Sequence, residues 1–243
     1  MAIMGAQWKH SGRVANASKK GAVVGKLIKE IMVAAKMGDP SPENNARLRA
    51  ALEGARRASV PRDTIDRAIK RGAGLDDNPA NFETITFEGF APHQVPVIVE
   101  CLTDNRNRSS ADIRVLFRKG QLGSIGSVTW MFDHWGVVEA NHTDSTMDIE
   151  GVAIEAGAQN VEKLPVDELH PVGVGGRFFA DTKDLDTVSK FLIKSGWTVT
   201  TSEMSYVAKN PVELSVEHKK EVVDFLDAID DHDDVHRIYT AVK

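Results

Sequence analysis

Gly74-Leu75-Asp76-Asp77-Asn78-Pro79 is where this chain changes character. Gly, Asn, Asp and Pro interrupt regular structure, so the stretch reads as a linker. Before it, apolar residues recur with helical spacing. After it, they alternate or run on without a break, as in strands. Charge changes at the same place. Residues 1–74 hold fifteen Lys/Arg against six Asp/Glu, a net +9, and the remainder holds fifteen against twenty-nine, a net −14. The overall −5 hides both. A basic helical head on an acidic body is expected of a protein that offers one face to a polyanion and repels it elsewhere.

On the N-terminal side, Val24, Leu27, Ile28, Ile31 and Ala35 place an apolar stripe on a helix over 18–37. Lys19, Lys26, Lys29 and Lys36 fall on its opposite side, which predicts one packed and one cationic face. Gly38 and Asp39-Pro40 end it. A second helix over 44–58 turns Leu48, Ala51, Leu52 and Ala55 inward and leaves Arg47, Arg49, Arg56 and Arg57 outside. A third starts at Pro61, with Asp63 and Asp66 early, Lys70 and Arg71 late and Gly72 next, as the helix dipole and capping rules favour. Ile65 and Ile69 give it a narrow seam. Together these helices form a compact three-helix bundle.

The bundle and the arm ahead of it are the main candidate binding site. Lys9, His10, Arg13, Lys19, Lys20, Lys26 and Lys29 line the arm and first helix, joined by Lys36, Arg47, Arg49, Arg56 and Arg57. Such cations contact phosphates and confer affinity without sequence information. Trp8 in the cationic arm either stacks on an exposed base or staples the arm to the bundle. Residues 1–29 contain no acid, a composition that also suits a mitochondrial presequence. A basic arm of the mature protein is the preferred reading, because an amphipathic helix follows at once. No recognisable helix-turn-helix pair places base-reading side chains in a groove, which tilts the physical reading towards RNA.

Beyond the linker, residues 82–87 alternate and 95–102 form a nearly continuous β-rich run. Residues 104–108 read as a polar loop, followed by a helix with Ile113, Leu116 and Phe117 inward. Strands are expected at 128–132 and 137–140, separated by a turn over 133–136. The grammar then repeats: helix 149–156, strands 161–164 and 177–180, helix 185–194, strand 197–207, short strand 212–214, acidic helix 216–229 and strand 235–242. The expected class is α+β, with two ferredoxin-like α/β domains after the bundle. The assigned domains are 1–78, then 79–133 together with 208–243, with 134–207 inserted between those two pieces.

Catalytic patterns are poor. There is no Walker A loop, G-x-S-x-G or H-E-x-x-H. Gly173-Val174-Gly175-Gly176 reads as a loop entering a strand. Asp230-Asp231-His232-Asp233-Asp234 lacks calcium-loop spacing and reads as a solvated acidic turn. Neither a metal site nor a cofactor is assigned, and the chain is read as a non-enzyme. Arg106 and Arg108 are a second candidate contact: at a strand end opening a helix they hold a phosphate or pair with local acids. The single Cys101, inside an apolar run, reads as a buried inert thiol and fits a reducing compartment. No stretch approaches the length of a membrane helix. Monomer and dimer both stay open.

Several runs carry a family resemblance. Lys26-Leu27-Ile28-Lys29-Glu30-Ile31, Gly38-Asp39-Pro40, the run from Pro61 to Gly72, Gly123-Ser124-Ile125-Gly126-Ser127-Val128 and, above all, Leu102-Thr103-Asp104-Asn105-Arg106-Asn107-Arg108 closely resemble the YebC/PmpR family over nearly the whole chain. The resemblance implies a helical N-terminal bundle and two α/β domains, one inserted in the other. It also implies a cytoplasmic, DNA-binding transcriptional regulator. As the alternative it implies a translation factor on ribosomal RNA that helps synthesis through proline-rich stretches. The head departs from the family pattern: Gly5-Ala6-Gln7-Trp8-Lys9-His10 keeps the Trp but not the usual order, Ala22 stands where Lys is common, and Ala46 replaces a usual Pro.

Overall fold

The computed structural model describes residues 17–76, 82–164 and 173–242. The chain is an α+β protein: an N-terminal three-helix bundle and two α/β domains, one inserted in the other. It divides into two compact units. One joins the described parts of 27–79 to 134–205; the other holds α1 up to Lys26, the described parts of 80–133 and the chain from Tyr206 on.

The bundle comprises α1 (Ala17–Met37), α2 (Ala46–Arg57) and α3 (Arg62–Gly72). Leu27, Ile31, Ala35, Leu48, Leu52, Ala55 and Ile65 are buried, as their spacing predicts. Small residues let the helices approach closely. A Cβ on Gly72 would stand 2.2 Å from the Met32 carbonyl oxygen, so α3 meets α1 backbone to backbone. Asn45 caps α2 by accepting the Leu48 N–H at 2.9 Å, and its amide donates to the carbonyls of Ala34 and Asp39.

One sheet contains β1 (Glu83–Ala91), β2 (Val95–Thr103), β3 (Gln121–Leu122) and β8 (Val235–Thr240), in the order β3-β1-β2-β8. All three pairings are antiparallel. Val95, Val97, Val99 and Cys101 turn one face towards α4 (Arg106–Leu116) and α7 (Val216–Asp230), which contribute Ile113, Val222, Phe225, Leu226 and Ile229. On the other face Ile98 and Tyr239 pack with Val128 and Phe132. Cys101 is buried, as expected.

The inserted domain runs β4 (Phe132–His142), α5 (Ile149–Ala156), β5 (Asn160–Leu164), β6 (Val174–Ala180), α6 (Leu185–Lys194) and β7 (Thr198–Ala208), with sheet order β5-β6-β4-β7. That is the split β-α-β pattern twice over. The first sheet reaches the same spatial layout by another route. Its hairpin β1–β2 comes first, so β1 lies between β2 and β3, the strands that α4 connects.

Three local expectations are corrected. Residues 128–131 are not a strand: Thr129–Met131 form a single 3-10 turn, and β4, which starts at Phe132, passes through 133–136 without turning. Gly136 is an ordinary ladder partner of Ala180 there. Val174 to Gly176 belong to β6 rather than to a loop; a Cβ on Gly176 would meet the Phe178 ring at 2.8 Å, so the glycine makes room for that ring. Finally, 212–214 makes only one bridge, Val212 with Val242.

No helix among the described residues is long and apolar enough to cross a membrane.

Candidate nucleic-acid interface

The candidate cations of the head meet different fates. Trp8, Lys9, His10 and Arg13 lie outside the described residues, and Lys19 and Lys20 stand on the first turn of α1. Lys26 must be moved from the cationic face to the interior. It is buried, and its ammonium donates to the Asp230 carbonyl and, at 3.1 Å, to the Asp230 carboxylate. A single apolar stripe does not describe α1, because six consecutive residues from Glu30 to Ala35 are buried and the helix is therefore covered on more than one side.

The second helix is likewise engaged internally. The Arg47 guanidinium donates to both oxygens of the buried Glu30, at 2.6 and 3.1 Å. Arg49 donates to the carbonyls of Pro42 and Glu43. Arg57 reaches the Thr200 carbonyl at 3.2 Å. Arg56 is exposed and pairs with Glu53 one turn earlier. Lys36 is exposed at the end of α1, and Lys29 is half-buried.

Among the described residues, α3 carries an exposed cationic face that a reading of the sequence does not single out. Along α3, Ile65, Ala68 and Gly72 are buried, while Arg62, Arg67, Lys70 and Arg71 are exposed. Arg62 is 92% exposed and only 4.0 Å from Asp66 at its nearest. Arg67 donates to the Asp63 carbonyl at 3.1 Å, which holds its stem against the helix. Four cations and two carboxylates share this face. The signal is present in the narrow Ile65/Ile69 seam, which leaves most of α3 turned outward.

The 104–108 stretch is not all loop. Asn105 is an N-cap, its side chain accepting the Arg108 N–H at 3.1 Å, and α4 starts at Arg106. Arg106 is exposed, 3.9 Å from Glu83. Arg108 binds Asp104 at 3.0 Å and Asp234 at 2.8 Å. Ser109 also donates to Asp234 at 2.8 Å, and Thr103 approaches the same oxygen at 3.3 Å. The bonds to Asp234, then to Asp104, raise the Arg108 pKa above its ordinary value. Two expectations change with this geometry. Arg108 pairs with acids rather than standing ready for a phosphate. The turn after α7 is not simply solvated: Asp234 is buried and Asp230 accepts from Lys26. Asp112, the other carboxylate near this turn, faces His232 at 3.3 Å. Among the described residues no group of three or more His, Cys, Asp or Glu side chains is placed to hold a metal ion.

A helical head on two α/β domains, the second of which interrupts the first, is a three-part α+β architecture. Two family models match it in order: the TACO1/YebC protein N-terminal domain over residues 6–75, and the TACO1/YebC second and third domain over residues 82–242. The chain belongs to the TACO1/YebC family. It is 50% identical over 240 residues to a "Probable transcriptional regulatory protein" of Pseudomonas syringae pv. syringae, covering 98% of this chain and 99% of that one. A protein of the same description from Bdellovibrio bacteriovorus is 46% identical over 241 residues, covering 98% and 100%. Among solved structures, the conserved hypothetical protein Aq1575 of Aquifex aeolicus is similar with a TM-score of 0.79 and 33% identity, over 98% of this chain and 96% of that one.

Proposed function

We propose that this protein is a non-catalytic, cytoplasmic nucleic-acid-binding regulator that docks through its helical head. The observation that carries the reading is the outer face of α3, where Arg62, Arg67, Lys70 and Arg71 are exposed in a segment of net +9. The name carried by the relatives supports a role in transcription.

Duplex DNA is the first ligand. Only residues 58–61 join α2 to α3, and Ser59 takes the left-handed conformation there, at φ 57°. A connection of this length between two helices, the second carrying the outward cations, is one that helix-turn-helix proteins use. It favours a groove-facing α3 more than the sequence alone does. Ribosomal RNA is the competing ligand, because phosphate contacts alone do not distinguish the two.

The deciding experiment runs ribosome co-sedimentation beside genome-wide DNA crosslinking in the same cells. Discrete DNA sites that disappear in an Arg62→Ala/Lys70→Ala variant are the expected result. Co-sedimentation with ribosomes and no discrete DNA sites would transfer the function to translation. Neither form of binding would end the proposal.

A further inference from the structure

In the docking mode proposed above α3 enters a groove, and α2, the first helix of the pair, is the one that crosses the phosphate backbone. Two of the cations on α2 are turned elsewhere. This helix and the inserted domain lie in the same compact unit. There the Arg57 guanidinium donates to the Thr200 carbonyl on β7 at 3.2 Å, and Glu139 on β4 is near enough for its charge to act on Arg57. Arg49 Nη2 stands 3.9 Å from Asp186 Oδ1, in the first turn of α6. Lys190, one turn further on, takes the other Asp186 oxygen at 2.6 Å.

The contact between Arg49 and Asp186 is a loose one. At 3.9 Å it is too long for a hydrogen bond. Both atoms are nevertheless buried, and neither makes a hydrogen bond among the described residues. Ser189 follows three residues along α6, on the same side as Asp186; it is buried and its hydroxyl makes no hydrogen bond there either. A polar atom taken from water and given no partner costs free energy. The α2–α6 contact therefore brings opposite charges together without bonding them. Such a contact holds until an acceptor arrives that can bond.

The charges of the two parts fit a competition. Residues 1–74 are net +9, whereas residues 134–205 hold twelve Asp/Glu against five Lys/Arg, a net −7. The inserted domain thus offers a carboxylate and a carbonyl oxygen to cations that a phosphate backbone would otherwise take. A phosphate can bind a guanidinium through two parallel hydrogen bonds, which Asp186 at its distance from Arg49 does not.

We infer that the inserted domain is an internal competitor for nucleic acid: it holds Arg49 and Arg57 of α2 in a closed state, and duplex DNA gripped by α3 draws them over to its phosphates. This rests on the reading of α2 and α3 as a DNA-binding pair, and it adds regulation of that same site.

The test follows binding of the full-length protein to a labelled 15-base-pair duplex by anisotropy over a range of salt. Asp186→Asn keeps the shape of the side chain and removes the competing charge. It should tighten binding about threefold, the scale of a partly exposed ion pair. The log–log salt slope should steepen by about 0.9 for each phosphate newly met. In an Arg49→Ala background the same change should bring no gain, because Arg49 is the cation released. A gain that survives Arg49→Ala would come from Lys190, the other partner of Asp186, and would overturn the proposal. An Asp186→Asn variant that binds as wild type does would also overturn it, and one that binds more weakly would make the contact a mount for the head instead of a competitor. Circular dichroism and the melting temperature confirm that the variants fold. Hydrogen exchange on wild type needs no variant: saturating duplex should raise amide exchange in the first turn of α6, and unchanged or lowered exchange there would rule out release. Wild type that binds no duplex would overturn the proposed function as well, whereas binding that depends on Arg62 and Lys70 but not on Asp186 would overturn the competition alone.

Discussion

The outer face of α3 and the first turn of α4 look alike in sequence: short, polar and rich in arginine, with aspartate close by. In the folded chain they differ. On α3 the aspartates sit on the same exposed helix surface as the cations, and Arg62 stays 92% exposed. In the first turn of α4, Arg108 meets Asp234, which is buried and 126 residues away in sequence. An arginine's availability is thus set less by its neighbours in the chain than by what the fold returns to it. Lys26 makes the same point, since its partner Asp230 is 204 residues distant. A count of local charge cannot register either pairing.

The largest effect is expected where a distant acid serves several donors. Asp234→Ala strips an acceptor from Arg108, Ser109 and Thr103, two of which are buried. It should cost roughly 2 kcal/mol or more of stability, read as a lowered urea midpoint. Asp231→Ala, on the exposed part of the same turn, should change little. If the two variants melt alike, Asp234 is not the organising acceptor, and Arg108 counts again among the available cations.

Lys26→Met follows. Methionine keeps much of the apolar stem but loses both bonds to Asp230, so about 1–3 kcal/mol should go. The salt dependence of nucleic-acid binding should not move. A reduced salt slope with unchanged stability would restore Lys26 to the outer face and undo the contrast between paired and exposed cations.

These cases also show where the sequence is readable. The bounds of α1, α2 and α6 and the buried run of β2 are legible because their apolar spacing is what packs. The discontinuous first sheet is legible only as an expected return of the last strand, and the pairing of β2 with β8 is what makes it. The start of α4 escapes a sequence reading because Asn105 caps it, and a polar run can be a helix's first turn as readily as a loop. Residues 128–132 read as strand because Val128 and Phe132 are apolar and both enter the core, yet the backbone there is directed by Glu88, about forty residues earlier. Of the site, the positive head is legible from composition. Which of its cations are exposed is not, since α1 is covered on more than one side.

Glu88 gives a smaller effect with a definite pH signature. Burial would raise its pKa, but the N–H donors of Gly126, Val128 and Thr129 more than offset this and hold it below the ordinary glutamate value of 4.5. The unfolded chain therefore binds this proton more readily than the native one. The stabilisation is fully present above pH 4.5 and fades as pH falls through the depressed native value. Glu88→Gln should lose about 1–2 kcal/mol at pH 7, and the gap to wild type should close under acid. A gap that stays constant from about pH 7 to about pH 3 would mean the carboxylate charge plays no part in holding the loop.

The smallest effect on stability is expected where the proposed function is strongest. Arg62 and Lys70 lie on the exposed side of α3, opposite Ile65 and Ala68, and removing their charges leaves no buried group without a partner. Arg62→Ala/Lys70→Ala should melt within about 0.5 kcal/mol of wild type. Its log–log salt slope on duplex DNA should nevertheless shrink by about 0.9 for each phosphate it no longer neutralises. An Arg106→Ala/Arg108→Ala variant should show the converse pattern, a measurable loss of stability with most of the slope retained. This pair of variants tests the difference between the two regions directly. If the α3 variant loses stability and keeps its slope, while the turn variant keeps stability and loses slope, the assignments of the two arginine-rich regions are reversed and the binding face lies at the turn.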